Sequence, residues 1–472
     1  MASRPLVVPC RIPQTLLVSK THRIHPAWFV AAIAFVALVG AAGFRATPSV
    51  MLTPLHDEFG WSLGTISAAV SVNLLLYGLT APFAAALMDQ FGIRRVVMFA
   101  LLLVSAGSGL TVFMTASWQL ILCWGVLVGL GTGSMALAFV ATITGRWFVK
   151  HRGLVTGVLT AGGAAGQLVF LPVLANLSQN SGWRTAALTV AIAALAVVPL
   201  VLWRLRDRPA DLGVLPYGAT APIAPVSSAA AAAAPVAPPL APVTPPSAPV
   251  TPPAGNAARN ALSALRQAAR TGPFWLLAGG FAICGATTNG LVGTHFIPAA
   301  HDHGMAQTTA AGLLALVGFF DIVGTIASGW LTDRVDSRLL LGGYYALRGL
   351  SLLALPSLFA ATAHPSMVVF ILFYGLDWVA TVPPTVTLCR EYFGDRGAVV
   401  FGWVFASHQI GAAIAAVVAG TLRDRLGDYD LAWYGAGGLA IVAALLSLAL
   451  LAGRHLKPIA PGIGLAIPAK SA

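Results

Sequence analysis

Four ionisable residues interrupt long apolar segments of this chain: Arg45, Asp321, Arg348 and Asp377. A guanidinium is permanently charged and binds a carboxylate through two parallel hydrogen bonds. A carboxyl group in apolar surroundings is destabilised in its ionised form, so it can take and give a proton near neutral pH. These residue types therefore indicate binding of an organic anion and carriage of a proton.

Each of these charges also has a structural explanation. Arg45 either binds an anion or extends its long side chain outward to water. Asp321 either carries a proton or gates a substrate, or it forms a static ion pair, for which Arg348 on the next helix is the natural partner. Asp377 either lines a cavity or pairs with a neighbouring helix, and Pro383-Pro384 just after it predict a broken helix with free carbonyls.

Uncharged polar groups lie within two other apolar segments. Asn289 and His295 belong to one segment, and His408 and Gln409 to the other. A lone His in a helix is more often a satisfied core residue than a ligand, but imidazole can titrate between pH 5 and 8, which makes His408 a candidate for proton coupling. Weaker candidates are Asn73, Tyr77 and Gln167.

A short charged pattern occurs twice, over residues 85–95 and 329–338. In each copy an Asp, Asp89 or Asp333, ends an apolar segment, and an Arg follows five residues later. The basic residues are Arg94, Arg95, Arg334 and Arg338. The Asp residues are either solvated helix caps or a latch that pairs with basic residues or a helix end in one conformation only. The duplication favours the latch.

The composition indicates a membrane protein. Of the 472 residues 57% are hydrophobic and 9% are charged, with a mean hydropathy of +0.83, whereas soluble proteins carry about 25% charged residues. Many segments exceed the ~18 apolar residues typical of a spanning helix. The net charge of +12 follows membrane loops, so no nucleic-acid partner is expected.

No metal, cofactor or enzymatic activity is expected. The cysteines, Cys10, Cys123, Cys284 and Cys389, lack paired spacing. The glycine-rich runs 129–133 and 162–166 lack the preceding strand and following Lys-Ser/Thr of a phosphate-binding loop. The chain also lacks the paired Asp or Ser–His pattern of an intramembrane enzyme and the soluble output domain of a sensor.

The sequence predicts an all-α membrane protein with twelve transmembrane helices in two six-helix bundles, because in lipid only a helix satisfies its own backbone groups. The predicted helices are 27–53, 64–88, 95–115, 118–145, 153–176, 183–204, 274–299, 309–331, 339–362, 366–389, 398–421 and 431–453. The domains are an N-terminal tail (1–26), a first bundle (27–208), a linker (209–272), a second bundle (273–455) and a C-terminal tail (456–472).

The linker and the charge distribution indicate the orientation. Residues 219–253 are uncharged and rich in Ala and Pro, which favours an extended spacer over a proline-recognition ligand, and 257–271 predicts a basic surface helix. Most of the 27 Lys and Arg residues lie on the termini, the linker and the loops that follow even-numbered helices. This pattern predicts that both termini face the cytoplasm, in the inner membrane of a cell.

Two six-helix halves, a long linker and a loop motif repeated after helices two and eight resemble the major facilitator superfamily. The family motif reads roughly G-x-L-x-D-R-x-G-R-R, and this chain departs from it at Ala85, Gln90 and Asp336. The segment 318–323 and Arg146-Trp147-Phe148 resemble the monocarboxylate transporter and oxalate–formate antiporter branch. The chain departs from that branch at Thr325, where an Arg is usual, and at the opening of helix one.

This resemblance implies a secondary transporter that works by alternating access around a site at mid-membrane. Arg45 and the branch resemblance favour a small organic anion such as a monocarboxylate, moved by proton coupling or exchange. The missing Arg at Thr325 leaves open an exporter of hydrophobic or cationic compounds with the same fold. The expected partners are a small-molecule substrate, protons and the lipid bilayer, and no obligate protein partner is predicted.

Overall fold

The structure, a computed structural model, describes residues 24–135, 137–219 and 257–452. The predicted Pro-rich spacer, most of the N-terminal tail and the whole C-terminal tail lie outside these described residues. Within them, twelve helices are long and apolar enough to cross a membrane, as the sequence predicted. They are helix 1 (Pro26–Phe59), helix 2 (Leu63–Ala84), helix 3 (Ile93–Phe113), helix 4 (Ser117–Trp147), helix 5 (Leu154–Ser181), helix 6 (Trp183–Arg204), helix 7 (Gly272–Asp302), helix 8 (Gln307–Thr332), helix 9 (Ser337–Leu358), helix 10 (Pro365–Phe393), helix 11 (Gly397–Leu426) and helix 12 (Asp430–Leu451).

Several helices extend beyond their apolar core. Helix 1 runs to Phe59, past its predicted end at residue 53. It stops at Gly60, whose φ of 66° lies in the left-handed region that glycine adopts without strain. Helix 2 continues in helical conformation to Phe91. Hydrophobicity therefore marks where a helix crosses lipid, whereas capping residues decide where it ends.

Helices 4, 7 and 10 contain irregular turns within the membrane span. Helix 4 includes a π-helical segment at Ile121–Val128, and helix 7 includes one at Ala286–Val292. Helix 10 is interrupted between Asp377 and Val382. The predicted cause is present, because Pro383 and Pro384 occupy the first turn of the second segment and supply no N–H groups to the preceding turn.

The two bundles repeat the same packing. In the first, helix 1 packs against helices 5 and 6, helix 3 against helix 6, and helix 2 against helix 4. In the second, helix 7 packs against helices 11 and 12, helix 9 against helix 12, and helix 8 against helix 10. Between the bundles, helix 2 contacts helix 11, helix 5 contacts helix 8, and helix 1 contacts helix 7. This is the arrangement of two parallel repeats that meet along a central seam.

The connectivity defines two ends of the molecule. The terminal face holds the start of helix 1, the end of helix 12 and the link between helices 6 and 7, and the opposite face holds the loop between helices 1 and 2. A linker helix at Ala257–Ala268 lies on the terminal face. It packs against helices 2 and 11, where Trp403 donates its indole N–H to the carbonyl of Ala261 at 2.8 Å.

Candidate functional site

A cavity of about 810 Å³ lies between the two bundles. Helices 1, 2, 4, 5, 7, 8, 10 and 11 contribute to its wall, which is mostly apolar. Among the described residues that line it are one arginine, Arg45, and one acidic residue, Asp321. The volume falls in the range of pockets that hold a small organic molecule.

Arg45 faces this cavity from helix 1. Its guanidinium donates a hydrogen bond to the hydroxyl of Tyr77 on helix 2 and lies 4.9 Å from the centre of the Tyr77 ring. The Tyr77 ring in turn contacts Phe405 of helix 11 edge-on, at 5.9 Å between ring centres. Arg45 is thus oriented inward by an aromatic neighbour rather than extended to the membrane surface.

Asp321 faces the cavity from helix 8 and holds the break in helix 10. Its Oδ1 accepts hydrogen bonds from the Thr325 hydroxyl at 3.0 Å and from the backbone N–H of Val379 at 3.1 Å. Its exposed fraction is 8%. Thr325, which stands where the resembling branch carries Arg, is therefore a neutral donor to this carboxylate.

Arg348 pairs with Asp377 and not with Asp321, so the static Asp321–Arg348 pair that was the alternative to proton carriage is absent. The guanidinium of Arg348 donates from Nε to Asp377 Oδ2 at 2.6 Å, and from Nη2 to the carbonyls of Asp377 and Trp378 at 2.6 and 3.3 Å. Arg348 pairs with Asp377 because the break in helix 10 places carbonyl acceptors beside the Asp377 carboxylate. The pair lies behind the cavity wall, so neither residue lines the cavity.

Six of the predicted polar candidates without a full charge line the cavity: Asn73, Tyr77, Gln167, Asn289, His408 and Gln409. His408 and Gln409 are 8% and 1% exposed. Among the described residues, His408 Nδ1 and Gln409 Oε1 have no hydrogen-bond partner. Buried polar atoms are normally paired, so these two atoms leave unused hydrogen-bonding capacity on helix 11 beside the cavity.

His295, unlike Asn289 on the same helix, lies outside the cavity. Its Nε2 lies 2.8 Å from the carbonyl of Ala416, and its Nδ1 lies 3.3 Å from the hydroxyl of Tyr429. Burial raises the pKa of Tyr429, so this hydroxyl remains a neutral donor. His295 is therefore a satisfied core residue that joins helix 7 to helix 11.

The repeated charged motif forms no latch between the bundles in the described residues of this conformation. The side chain of Asp89 lies outside them, and the exposed carboxylate of Asp333 accepts no hydrogen bond and forms no ion pair with any described residue. Arg334 lies 4.1 Å from the centre of the Trp330 ring on its own helix, and Arg338 bonds Asp336, Glu391 and Tyr392 within the second bundle.

The first copy of the motif instead faces the start of the linker. The backbone N–H of Arg94 donates to Asp207 Oδ1 at 2.9 Å, which caps helix 3. Arg94 and Arg95 line a shallow depression of about 620 Å³ on the terminal face, together with Arg146 and Arg208. These contacts stay within the first bundle and the chain that follows it.

Polar contacts also join the two bundles on the opposite face, and sequence analysis missed them. The carboxylate of Asp424 on helix 11 accepts from the backbone N–H groups of Leu63 and Gly64, at 2.8 and 2.6 Å. Gln307 of helix 8 donates to the carbonyl of Val50 on helix 1 at 2.5 Å. Asp424 follows Arg423 in a charged run that resembles an ordinary loop, so its sequence carried no signal of this role.

These contacts close the cavity on the opposite face. A carboxylate at a helix N-terminus satisfies free N–H groups and complements the helix dipole. The cavity wall reaches the terminal face through Leu154 of helix 5 and Trp330 of helix 8. The structure is therefore a conformation that is open toward the terminal face and closed at the other.

We expect Asp424→Asn to open the opposite face more often. Loss of the charge weakens two charge-assisted hydrogen bonds across the seam, which we expect to change the open fraction roughly tenfold. The measurement is the rate at which a membrane-impermeant thiol reagent labels a cysteine introduced by Ser67→Cys. Ser67 is buried beneath the Asp424 contact. Asp428→Asn is the matched control. Equal labelling rates in the two variants would show that Asp424 does not hold the opposite face closed.

The fold and the central cavity define a membrane transporter of the two-bundle type. The sequence profile of the Major Facilitator Superfamily matches residues 33–415 and 294–464. The chain belongs to this superfamily, which confirms the resemblance found in its motifs.

Two curated relatives cover most of the chain. An uncharacterised MFS-type transporter, YcxA of Bacillus subtilis (strain 168), is 24% identical over 410 residues, which span 86% of this chain and 90% of its own. Monocarboxylate transporter 13 of Rattus norvegicus is 26% identical over 441 residues, which span 90% of both chains. The chain is thus similar to monocarboxylate transporters at modest identity.

The fold is also similar to solved structures. A bacterial homologue of the human lysosomal transporter Spinster, in an inward-facing and occupied conformation, superposes with a TM-score of 0.68 at 13% identity. The match covers 93% of this chain and 100% of that one. At this identity the likeness supports the fold alone.

Proposed function

We propose that the protein transports a small organic anion, of the monocarboxylate class, together with a proton by alternating access. The observation that carries this proposal is the pair of charges on the cavity wall, Arg45 from one bundle and Asp321 from the other. Similarity to monocarboxylate transporters over most of the chain supports the same substrate class.

The charge balance favours joint movement of an anion and a proton. With Asp321 ionised, the charges of Arg45 and Asp321 cancel at mid-membrane, where an uncompensated charge is unfavourable. An anion alone would leave one excess negative charge. An anion at Arg45 with a proton on Asp321 restores the balance, so the loaded site can cross between its two open states.

Protonation of Asp321 also provides a link to movement. The ionised carboxylate accepts from Val379 in the helix 10 break, and hydrogen bonds to a charged acceptor are stronger than those to a neutral one. A proton on Asp321 therefore loosens the contact between helices 8 and 10. With the predicted cytoplasmic termini, the open terminal face would release substrate into the cytoplasm.

The test is uptake into proteoliposomes under an imposed pH gradient, with radiolabelled pyruvate, butyrate and benzoate. We expect Arg45→Gln to lower uptake by about tenfold or more, because it removes a charge-assisted contact. Asp321→Asn keeps an acceptor for Val379 but cannot carry a proton, so we expect it to lose accumulation while keeping exchange.

Asp57→Asn, an exposed substitution on the opposite face, is the control, and protein-free vesicles measure passive leak. Normal gradient-driven uptake by both cavity variants would show that the site is elsewhere. If the unsubstituted chain takes up none of these anions and extrudes hydrophobic cations in an Asp321-dependent manner, the alternative of an exporter holds instead.

A further inference from the structure

The cavity has a polar centre and an apolar arm. Asp321 lies near the middle of helix 8, and Tyr77, the partner of Arg45, lies near the middle of the helical stretch Leu63–Phe91. From Asp321 to the terminal face, the wall on helix 8 continues as Ile322, Thr325, Ile326, Gly329 and Trp330. The polar groups thus gather at mid-membrane, and the arm that leads away from them is almost entirely apolar.

This arm opens sideways between helices 5 and 8. Leu154 and Val158 of helix 5 line the cavity yet are 60% and 50% exposed. Ile326 and Trp330 of helix 8 line it and are 70% and 55% exposed. Side chains that belong both to the cavity wall and to the outer surface mark a mouth in the flank of the molecule.

The other seam is closed to its end. Along helices 2 and 11, Gly78 would place a Cβ 2.5 Å from Gln409 Cβ, and Phe83 contacts Trp403 edge-on at 5.9 Å between ring centres. Trp403 is in turn bonded to the linker helix. The mouth is therefore one-sided, and its apolar rim faces the region that lipid chains occupy in a membrane.

We infer that the substrate is an amphiphilic anion, whose charged head binds at Arg45 and whose aliphatic or aromatic body lies along helices 5 and 8. The inference rests on the proposed function, because it takes the anion site as given, and it narrows the substrate from small monocarboxylates to those with an extended apolar part. A two- or three-carbon anion would leave the apolar arm facing water, whereas an amphiphile buries its own apolar surface there.

The length of the apolar arm determines how binding affinity should depend on the length of the substrate chain. Nine residues separate Asp321 from Trp330, which is about 13 Å along a helix axis. Each methylene buried against this wall is expected to tighten binding about three- to fourfold. The gain should level off once the substrate chain reaches the mouth.

The experiment measures binding of 1-alkanesulfonates with two to twelve carbons to the full chain in lipid nanodiscs, by calorimetry. Sulfonates stay ionised, and empty nanodiscs correct for partition into lipid. Ile326→Ser tests the arm, and Val323→Ser on the same helix is the matched control, because Val323 is 48% exposed but does not line the cavity.

We expect affinity to rise with chain length, and Ile326→Ser to weaken binding of the ten-carbon anion severalfold while leaving the two-carbon anion unchanged. Equal affinity for short and long anions, or equal behaviour of I326S and V323S, would overturn the amphiphile inference and leave the anion site intact. If Arg45→Gln does not weaken binding at any length, or no sulfonate binds, the anion site itself fails and the inference falls with it.

Discussion

Replacement of Arg348 by glutamine is expected to destabilise the second bundle by about 3–5 kcal/mol, because it leaves the Asp377 carboxylate buried without its partner. The Arg348 side chain is fully buried, and Asp377 is only 9% exposed. The guanidinium also donates to two carbonyls at the helix 10 break and to the Cys284 thiol at 2.9 Å. No neighbouring group can replace these donors at once.

The measurement is thermal unfolding of the purified protein, where we expect the melting temperature to fall by about 10 °C or more. Arg266→Gln, on the exposed side of the linker helix, is the control. The double variant Arg348→Met with Asp377→Leu removes both charges but leaves the break carbonyls unpaired, so it should recover only part of the loss. Equal melting temperatures for R348Q and R266Q would contradict this account.

Gly324→Ala is expected to displace helix 8 from helix 10 and to destabilise the protein by about 3 kcal/mol or more. A Cβ at this position would lie 1.9 Å from the carbonyl oxygen of Leu376 and 2.6 Å from its Cα. These are backbone atoms, so a side-chain rotation cannot relieve the clash. The shift would also disturb the hydrogen bond between Asp321 and Val379, one turn away.

Gly312→Ala on the same helix is the matched control, because a Cβ there meets nothing within 4 Å. It should be neutral or slightly stabilising, since alanine favours a helix over glycine by up to about 1 kcal/mol. Thermal unfolding and transport of both variants check the prediction. An unchanged melting temperature for G324A would mean that helices 8 and 10 lie further apart than the structure places them.

Much of the fold is predictable because its signals are local. Each spanning helix is an uninterrupted apolar run, and lipid leaves the backbone no alternative to helix. The break in helix 10 is equally local, since Pro383 and Pro384 remove hydrogen-bond donors wherever they occur in a helix. The charged motif is also a local signal, and its repetition after helices 2 and 8 indicated two related halves.

The site was predictable only in part. A charge within an apolar run must face the protein interior, which correctly directed attention to Arg45 and Asp321. The same rule could not separate these two, which line the cavity, from Arg348 and Asp377, which lie behind its wall. His295 follows the general expectation that a lone histidine in a helix is more often a satisfied core residue than a ligand.

What the sequence determined by itself is therefore the number of helices, the two-fold repeat and the set of charges within the apolar segments. Only the tertiary structure decided that Arg348 pairs with Asp377, that Asp424 bridges the seam and that the cavity opens between helices 5 and 8. The physical reason is distance along the chain. Hydrophobicity and proline act within one helical turn, whereas pairing depends on the rotation and crossing of helices that are up to several hundred residues apart.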